Sequence, residues 1–244
     1  MVLVRPRNPL NIGAAARALA NFGSSDLVVV APYEPTWREA RSAVGAEPLL
    51  QTARAVPKLL EAIGDCQLVI GTTTGARRHC ERELISLDRF PAWLRRRKAR
   101  GRVAWLFGSE KTGLSNDDLS HCHVWVRIPT ASDCPSMNLG QAVAVCCYEL
   151  ARSALVHPNA PAIKTSPSAP ANVQTLAHLL ERTIHILDAS SYFTPKGRQA
   201  QILKLRRFLL DLELTQHDAR VLGAAVAQIE WRIAKSSART GKPA

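Results

Sequence analysis

Over its first 150 or so residues the chain alternates between short apolar runs rich in β-branched residues and stretches with helical spacing. The runs fall at residues 2–4, 27–31, 68–71, 103–107 and 124–128. Helical patterns lie between them at 12–22, closed by Gly23, at 56–63, closed by Gly64, at 88–99 and at 139–155. The second run and its neighbours are apolar at every position rather than at alternate ones. A strand buried on both faces requires that pattern, and in a βα alternation it predicts a mostly parallel sheet flanked by helices. The expected fold class is therefore α/β, an open sheet whose ligand site lies at the carboxyl ends of its strands.

Composition changes after that. Residues 157–171 hold Pro158, Pro161, Pro167 and Pro170 among Ser, Thr and Ala, with no apolar periodicity, and predict an extended linker. Three amphipathic patterns follow, at about 173–189, 196–212 and 215–235, the last opening on Thr215 and Asp218 as a capping box. The expected organisation is an α/β domain at 1–156, a Pro-rich linker at 157–171 and a small, basic all-helical extension at 172–244.

Charge narrows the partner. Lys and Arg number 32 against 20 Asp and Glu, a net charge of +12, and the isoelectric point is near 10.0. A polyanion is the economical explanation, because each phosphate neutralised releases counterions. Between residues 77 and 102 ten Arg or Lys face three acids, and the extension carries eleven against six. Arg77, Arg78, Arg95, Arg96 and Arg97 are the candidate phosphate contacts, although a solvated basic helix end accounts for the last three equally well. No apolar run is long enough to cross a bilayer, and the N-terminus lacks the apolar core of a signal peptide, so a cytoplasmic protein with no membrane partner is expected. The six cysteines show no C-x-x-C spacing and suit reduced, mostly buried thiols. His121-Cys122-His123 lacks the second ligand pair of a structural zinc site, so a helix end leading into a strand is the expected reading, and no metal is expected.

The usual nucleotide loops are missing: there is no G-x-G-x-x-G after the first strand and no G-x-x-x-x-G-K-[ST]. Three other segments sit at strand-to-helix junctions instead. The first, Asn11-Ile-Gly13-Ala-Ala-Ala-Arg17-Ala, sets one charged residue in a small-residue helix surface, where an arginine needs either an acid or an anion. The second, Phe107-Gly108-Ser-Glu110-Lys-Thr-Gly113-Leu-Ser115-Asn-Asp-Asp118-Leu, brackets a tight loop with two glycines and caps the next helix with Ser115 and Asp118. The third runs from Ile128-Pro129 through Pro135-Ser136-Met137-Asn138 to Leu139-Gly140-Gln141 and opens a helix. Each alone is ordinary turn chemistry.

Together, in this order and spacing, they resemble the three signature motifs of the SPOUT RNA 2′-O-ribose methyltransferases of the TrmH superfamily, over residues 1–155. The extension is similar to that of one tRNA-modifying branch, around 180–182, 192–195 and 203–208. The resemblance implies a C-terminal trefoil knot, a homodimer, and S-adenosylmethionine held by Thr72, Thr73, Thr74, Gly108, Ile128, Pro135, Ser136 and Met137. It implies catalytic roles for Arg17, Ser136 and Asn138, with Asn11 and Arg17 also facing RNA. An arginine stays protonated, so Arg17 is expected to grip a phosphate and stabilise alkoxide charge rather than act as a base. Ser136 and Asn138 are expected to orient the hydroxyl. The implied substrate is tRNA, at the ribose of position 32 in the anticodon loop, cytidine or uridine. A ribosomal RNA methyltransferase and a non-catalytic RNA-binding protein on the same fold are the alternatives.

Overall fold

A computed structural model describes residues 1–75, 82–97, 101–156 and 169–240. Seven strands, β1 (Val2–Val4), β2 (Val28–Val30), β3 (Arg54–Val56), β4 (Leu68–Thr72), β5 (Leu84–Ser86), β6 (Val103–Phe107) and β7 (Val124–Arg127), form one sheet in the order β3-β2-β1-β6-β4-β7-β5. Every adjacent pair is parallel. The helices are α1 (Pro9–Asn21), α2 (Glu47–Thr52), α3 (Leu59–Ile63), α4 (Phe90–Arg96), α5 (Asn116–Ser120), α6 (Leu139–Val156), α7 (Val173–Ala189), α8 (Arg198–Asp211) and α9 (Gln216–Thr240).

The apolar runs do what their continuity predicts, since alternate residues of each strand enter different cores. Leu3, Val29, Leu68, Ile70, Trp105, Phe107, Val124 and Val126 pack on one side with Ile12, Ala15 and Leu19 of α1 and Val143, Cys146 and Cys147 of α6. Val2, Val4, Val28, Val30, Val69, Leu106 and Trp125 pack on the other with Ile63, Leu119 and Cys122. Each such side chain contributes roughly 1.5–3 kcal/mol on burial. The helix α6 lies against α1 closely enough that a Cβ on Gly140 would come within 2.7 Å of Ala14 Cβ. The small-residue surface of α1 therefore serves this close approach.

Two edge strands and two short turns of helix escape the sequence pattern. Residues 54–56 form β3, so the expected helix at 56–63 shortens to α3, which starts three residues later. Residues 84–86 form the opposite edge, β5, and Trp37–Glu39 and α2 fill the connection from β2 to β3. Three-residue edge strands carry too few apolar positions to show a period. The expected helix at 88–99 is α4, and His121 is its neighbour α5's C-cap, leading into β7 as expected.

The C-terminal helices match their expected bounds within a few residues, and Thr215 and Asp218 exchange both bonds of a capping box. Most of the expected linker, 157–168, lies outside the described residues, while Ala169 and Ala171 hydrogen-bond Gln216 and Leu214. The helices rest on the sheet domain through Val173, which enters the second core, and through three arginines. Arg82 pairs with Asp211 and donates to the Arg207 carbonyl at 3.0 Å, Arg97 pairs with Glu213, and Arg206 reaches Asp117 at 2.9 Å.

Candidate active site

The strand order places the carboxyl ends of β1, β6, β4 and β7 side by side, and the three marked segments follow three of them. After β1, the backbone turns at Arg5, with φ of 51°, and Asn8 caps α1 by accepting from the Leu10 N–H at 2.9 Å. After β6, the loop closes through Gly113 N–H to Ser109 O at 2.7 Å. Gly108 has no room for a side chain there: a Cβ would collide with the Gly113 carbonyl carbon and the Leu114 nitrogen. The loop then enters α5, where Ser115 and Asp118 form a reciprocal capping box. The Asp118 side chain, almost fully buried, also receives Arg5, so the turns after β1 and β6 share one carboxylate. After β7, Asn138 caps α6, its Oδ1 accepting from the Gly140 N–H at 2.9 Å and the Gln141 N–H at 3.3 Å.

One hydrogen-bonded chain ties the three segments. Asn138 Nδ2 donates to Asn11 Oδ1 at 2.9 Å, and Asn11 Nδ2 donates to Glu110 Oε1 at 2.8 Å. Glu110 also accepts from the Arg7 and Asn8 N–H groups at 2.8 and 3.1 Å. Burial pushes the Glu110 carboxyl up, but the bonds from Asn11 and the backbone amides outweigh it and hold the pKa below the ordinary glutamate value. Glu110 was not among the residues expected to act here. Its signal was an acid in a glycine-bracketed loop of a strongly basic chain.

The expected residues divide by what they touch. Arg17 is exposed on α1 and, among the described residues, makes no hydrogen bond or ion pair. The Ser136 side chain is exposed with its hydroxyl free in the same sense. Asn138 has its oxygen committed to α6 and one N–H to Asn11, which leaves one N–H for a ligand.

The loop groups Thr72–Thr74, Gly108, Ile128 and 135–137 follow the adjacent strands β4, β6 and β7. Thr72 spends its hydroxyl on the Leu106 carbonyl at 2.8 Å, and Thr73 its N–H on Val126 O at 3.0 Å, so these two fasten β4 to its neighbours. Thr74 and Ser136 are exposed, Ile128 and Met137 half-buried, and Pro135 O accepts from Thr130 at 3.2 Å. The donor set of uncharged hydroxyls, backbone groups and half-buried apolar side chains fits a nucleoside with an apolar ring and a polar edge.

Of the basic candidates, Arg77 and Arg78 lie outside the described residues. Arg95 donates to Ser153 Oγ at 3.4 Å and Arg96 to the Ala92 carbonyl at 3.5 Å, and among the described residues neither exposed guanidinium has a carboxylate partner. Arg97 is occupied, its guanidinium 5.1 Å from the Trp93 ring centroid and paired with Glu213. A cavity of about 910 Å³ lies away from these loops, between α3 and the C-terminal helices, lined by Lys58, His121, Ile184 and Arg206 among others.

Residues 1–148 match the model of the SpoU rRNA Methylase family. A Haemophilus influenzae protein named as an uncharacterized tRNA/rRNA methyltransferase is 30% identical over 238 residues, covering 96% of this chain and 95% of that one. The Pseudomonas aeruginosa tRNA (cytidine/uridine/adenosine-2′-O-)-methyltransferase TrmJ is 40% identical over 151 residues, 62% of this chain and 59% of that protein. Among solved structures, TrmJ from Z. mobilis aligns over 94% of this chain and 97% of its own, with a TM-score of 0.81 at 30% identity. The match of the family model to residues 1–148, more than half of the chain, with the three motifs gathered at the carboxyl ends of one parallel sheet, shows that the chain belongs to the SpoU rRNA methylase family.

Proposed function

We propose that the protein is an S-adenosylmethionine-dependent tRNA 2′-O-ribose methyltransferase that works as a homodimer. The observation that carries this reading is the chain of hydrogen bonds from Asn138 through Asn11 to Glu110, which ties three loops together at the start of the helix that carries the exposed Arg17. Relatives named for tRNA 2′-O-methylation at 28–40% identity support the substrate class.

The loop segments Thr72–Thr74, Gly108, Ile128 and 135–137 would hold the cofactor, which supplies a sulfonium methyl when bound, with Thr72 contributing through its backbone because its hydroxyl is spent on Leu106. The rest of the work falls to side chains. Ser136, with the remaining N–H of Asn138, orients the ribose hydroxyl. Arg17 grips the neighbouring phosphate and stabilises the alkoxide as the proton leaves. Alignment of this kind supplies on the order of 7–11 kcal/mol in favourable cases. The turn from β7 into α6 forms the trefoil knot in this reading, a departure from the usual rule against threading.

Leu10, Val145 and Tyr148 leave an exposed apolar face on α1 and α6 near Arg17, which suits a second copy of the chain. Arg17 then serves the partner's cofactor. Mixing Arg17→Ala with Ser136→Ala protein tests this, since a shared site restores activity in the mixed dimer and a private one does not. A methyltransferase domain at 1–156, a linker at 157–171 and a helical extension at 172–244 complete the reading, supported by the separate small cluster of Leu176, Leu210 and Ala219 with Ala171.

The deciding experiment supplies labelled S-adenosylmethionine with unmodified tRNA or ribosomal RNA and maps the modified ribose. Label at position 32 of tRNA is the expected result. Label only in ribosomal RNA would replace the substrate class.

A further inference from the structure

Tyr33 and Arg7 belong to no sequence motif, yet the structure brings them together on the rim of the candidate active site. Tyr33 follows β2 and is 64% exposed, an unusual place for an aromatic ring with no core to fill. The Arg7 guanidinium lies 4.4 Å from its ring centroid, a cation–π distance. Among the described residues Arg7 has no carboxylate partner, although Glu110 accepts from its backbone N–H.

The two loops are held, not loose. Tyr33 N–H donates to Pro6 O at 3.0 Å. Each loop also begins on a residue in the left-handed region, Arg5 at φ 51° and Ala31 at φ 43°. Such conformations are strained for residues with a side chain, and they persist where the surroundings over-determine them, commonly at ligand sites. Here two of them flank one exposed pair. The Glu110 carboxylate that fixes Arg7 also fixes Asn11 and, through it, Asn138. The platform and the catalytic segments are therefore set by the same group.

We propose that Tyr33 and Arg7 form a recognition platform for an RNA nucleotide flanking the methylated ribose. Its base stacks on the ring face that Arg7 leaves open, and its phosphate meets the guanidinium. A ribose hydroxyl is reached in single-stranded RNA, whose splayed bases are held by stacking on aromatic rings and arginine planes. This inference rests on the RNA-methylating reading and adds the residues that present the loop.

The test measures methyl transfer to unmodified bulk tRNA by wild type, Tyr33→Ala, Tyr33→Phe and Arg7→Gln. Binding of S-adenosylhomocysteine and thermal midpoints are followed in parallel. Tyr33→Ala should raise the KM for RNA tenfold or more, the size of one lost base stack, while Tyr33→Phe stays near wild type. Arg7→Gln should reduce the slope of log affinity against log salt by about one. Cofactor affinity and midpoints should not move. Tyr33→Ala within twofold of wild type on an active enzyme would overturn this inference alone, as would an effect that tracks lost cofactor binding. A wild type that transfers no methyl to any RNA would instead overturn the parent reading, and this one with it.

Discussion

Asn138 donates its side-chain amide to Asn11 Oδ1 across 2.9 Å, although 127 residues separate them. The bond joins the first turn of α1 to the cap of α6, and Glu110 holds its far end. Asn11→Ala leaves one proton of Asn138 and one lone pair of Glu110 unmatched at a half-exposed site. The expected cost is about 1–2 kcal/mol of stability. Turnover should fall roughly 10–100-fold, because a shift of about 1 Å in Ser136 suffices for that. Paired measurements of kcat and the urea midpoint check it. Unchanged turnover would show that the chain of bonds does not set the site.

Arg17 predicts the opposite balance. It is exposed and makes no hydrogen bond or ion pair among the described residues, so Arg17→Ala should leave the thermal midpoint within the range of ordinary surface changes. Loss of a charge that faces the developing alkoxide should lower kcat about 10²–10³-fold. Calorimetry with S-adenosylhomocysteine should find near-normal affinity. Near-wild-type turnover would remove Arg17 from the mechanism.

The sheet and the site were legible in the sequence to different degrees. Strands such as 68–72 and 103–107 announce themselves because each is buried on both faces, and the long helices because each has one apolar side. Edge strands β3 and β5 do not, since Arg54, Ala55 and Val56 are at least partly solvent-facing and carry no pattern. The motif residues were visible as turn chemistry, but which of their polar groups were already spent was not. Thr72 reads as a ligand contact in the sequence and ties β4 to β6 in the structure. Arg97 reads as a phosphate contact and is paired with Glu213, in the turn between α8 and α9, more than a hundred residues away. Long-range pairing of charges leaves no local trace.

Arg82 shows the same point from the other side. Its side chain is 7% exposed and pairs with Asp211, while a second nitrogen serves the Arg207 carbonyl. Arg82→Ala should loosen the seat of α8, costing about 1–3 kcal/mol as the carbonyl loses its donor. Asp211→Asn should cost less, because that carboxylate is largely solvated and an exposed pair contributes little. Proteolysis within α8 is expected to speed up in the first variant and hardly in the second. Equal sensitivity in both would locate the seat elsewhere.

His123 makes a pH prediction whose sign follows from its surroundings. The Val69 N–H donates to its Nδ1 at 3.1 Å, which requires that nitrogen to be unprotonated. Loss of hydration, reinforced by the nearby Arg97 and Arg82 cations, lowers its pKa from 6.5 to about 3. The folded protein therefore keeps the ring neutral while the unfolded chain takes up a proton below pH 6.5. Stability from this group is complete above 6.5 and is lost as pH falls toward 3, at up to about 1.4 kcal/mol per pH unit. His121, lowered to about 4 by burial and by Arg206, acts in the same direction. Urea midpoints between pH 6.5 and 5, above the range where exposed carboxylates titrate, should fall steadily for the wild type. His123→Gln keeps an acceptor for Val69 but cannot gain a proton, so its midpoint should fall less steeply over the same interval. An identical slope in the two proteins would mean that the ring already titrates as it does in water, and that the bond from Val69 does not hold it neutral.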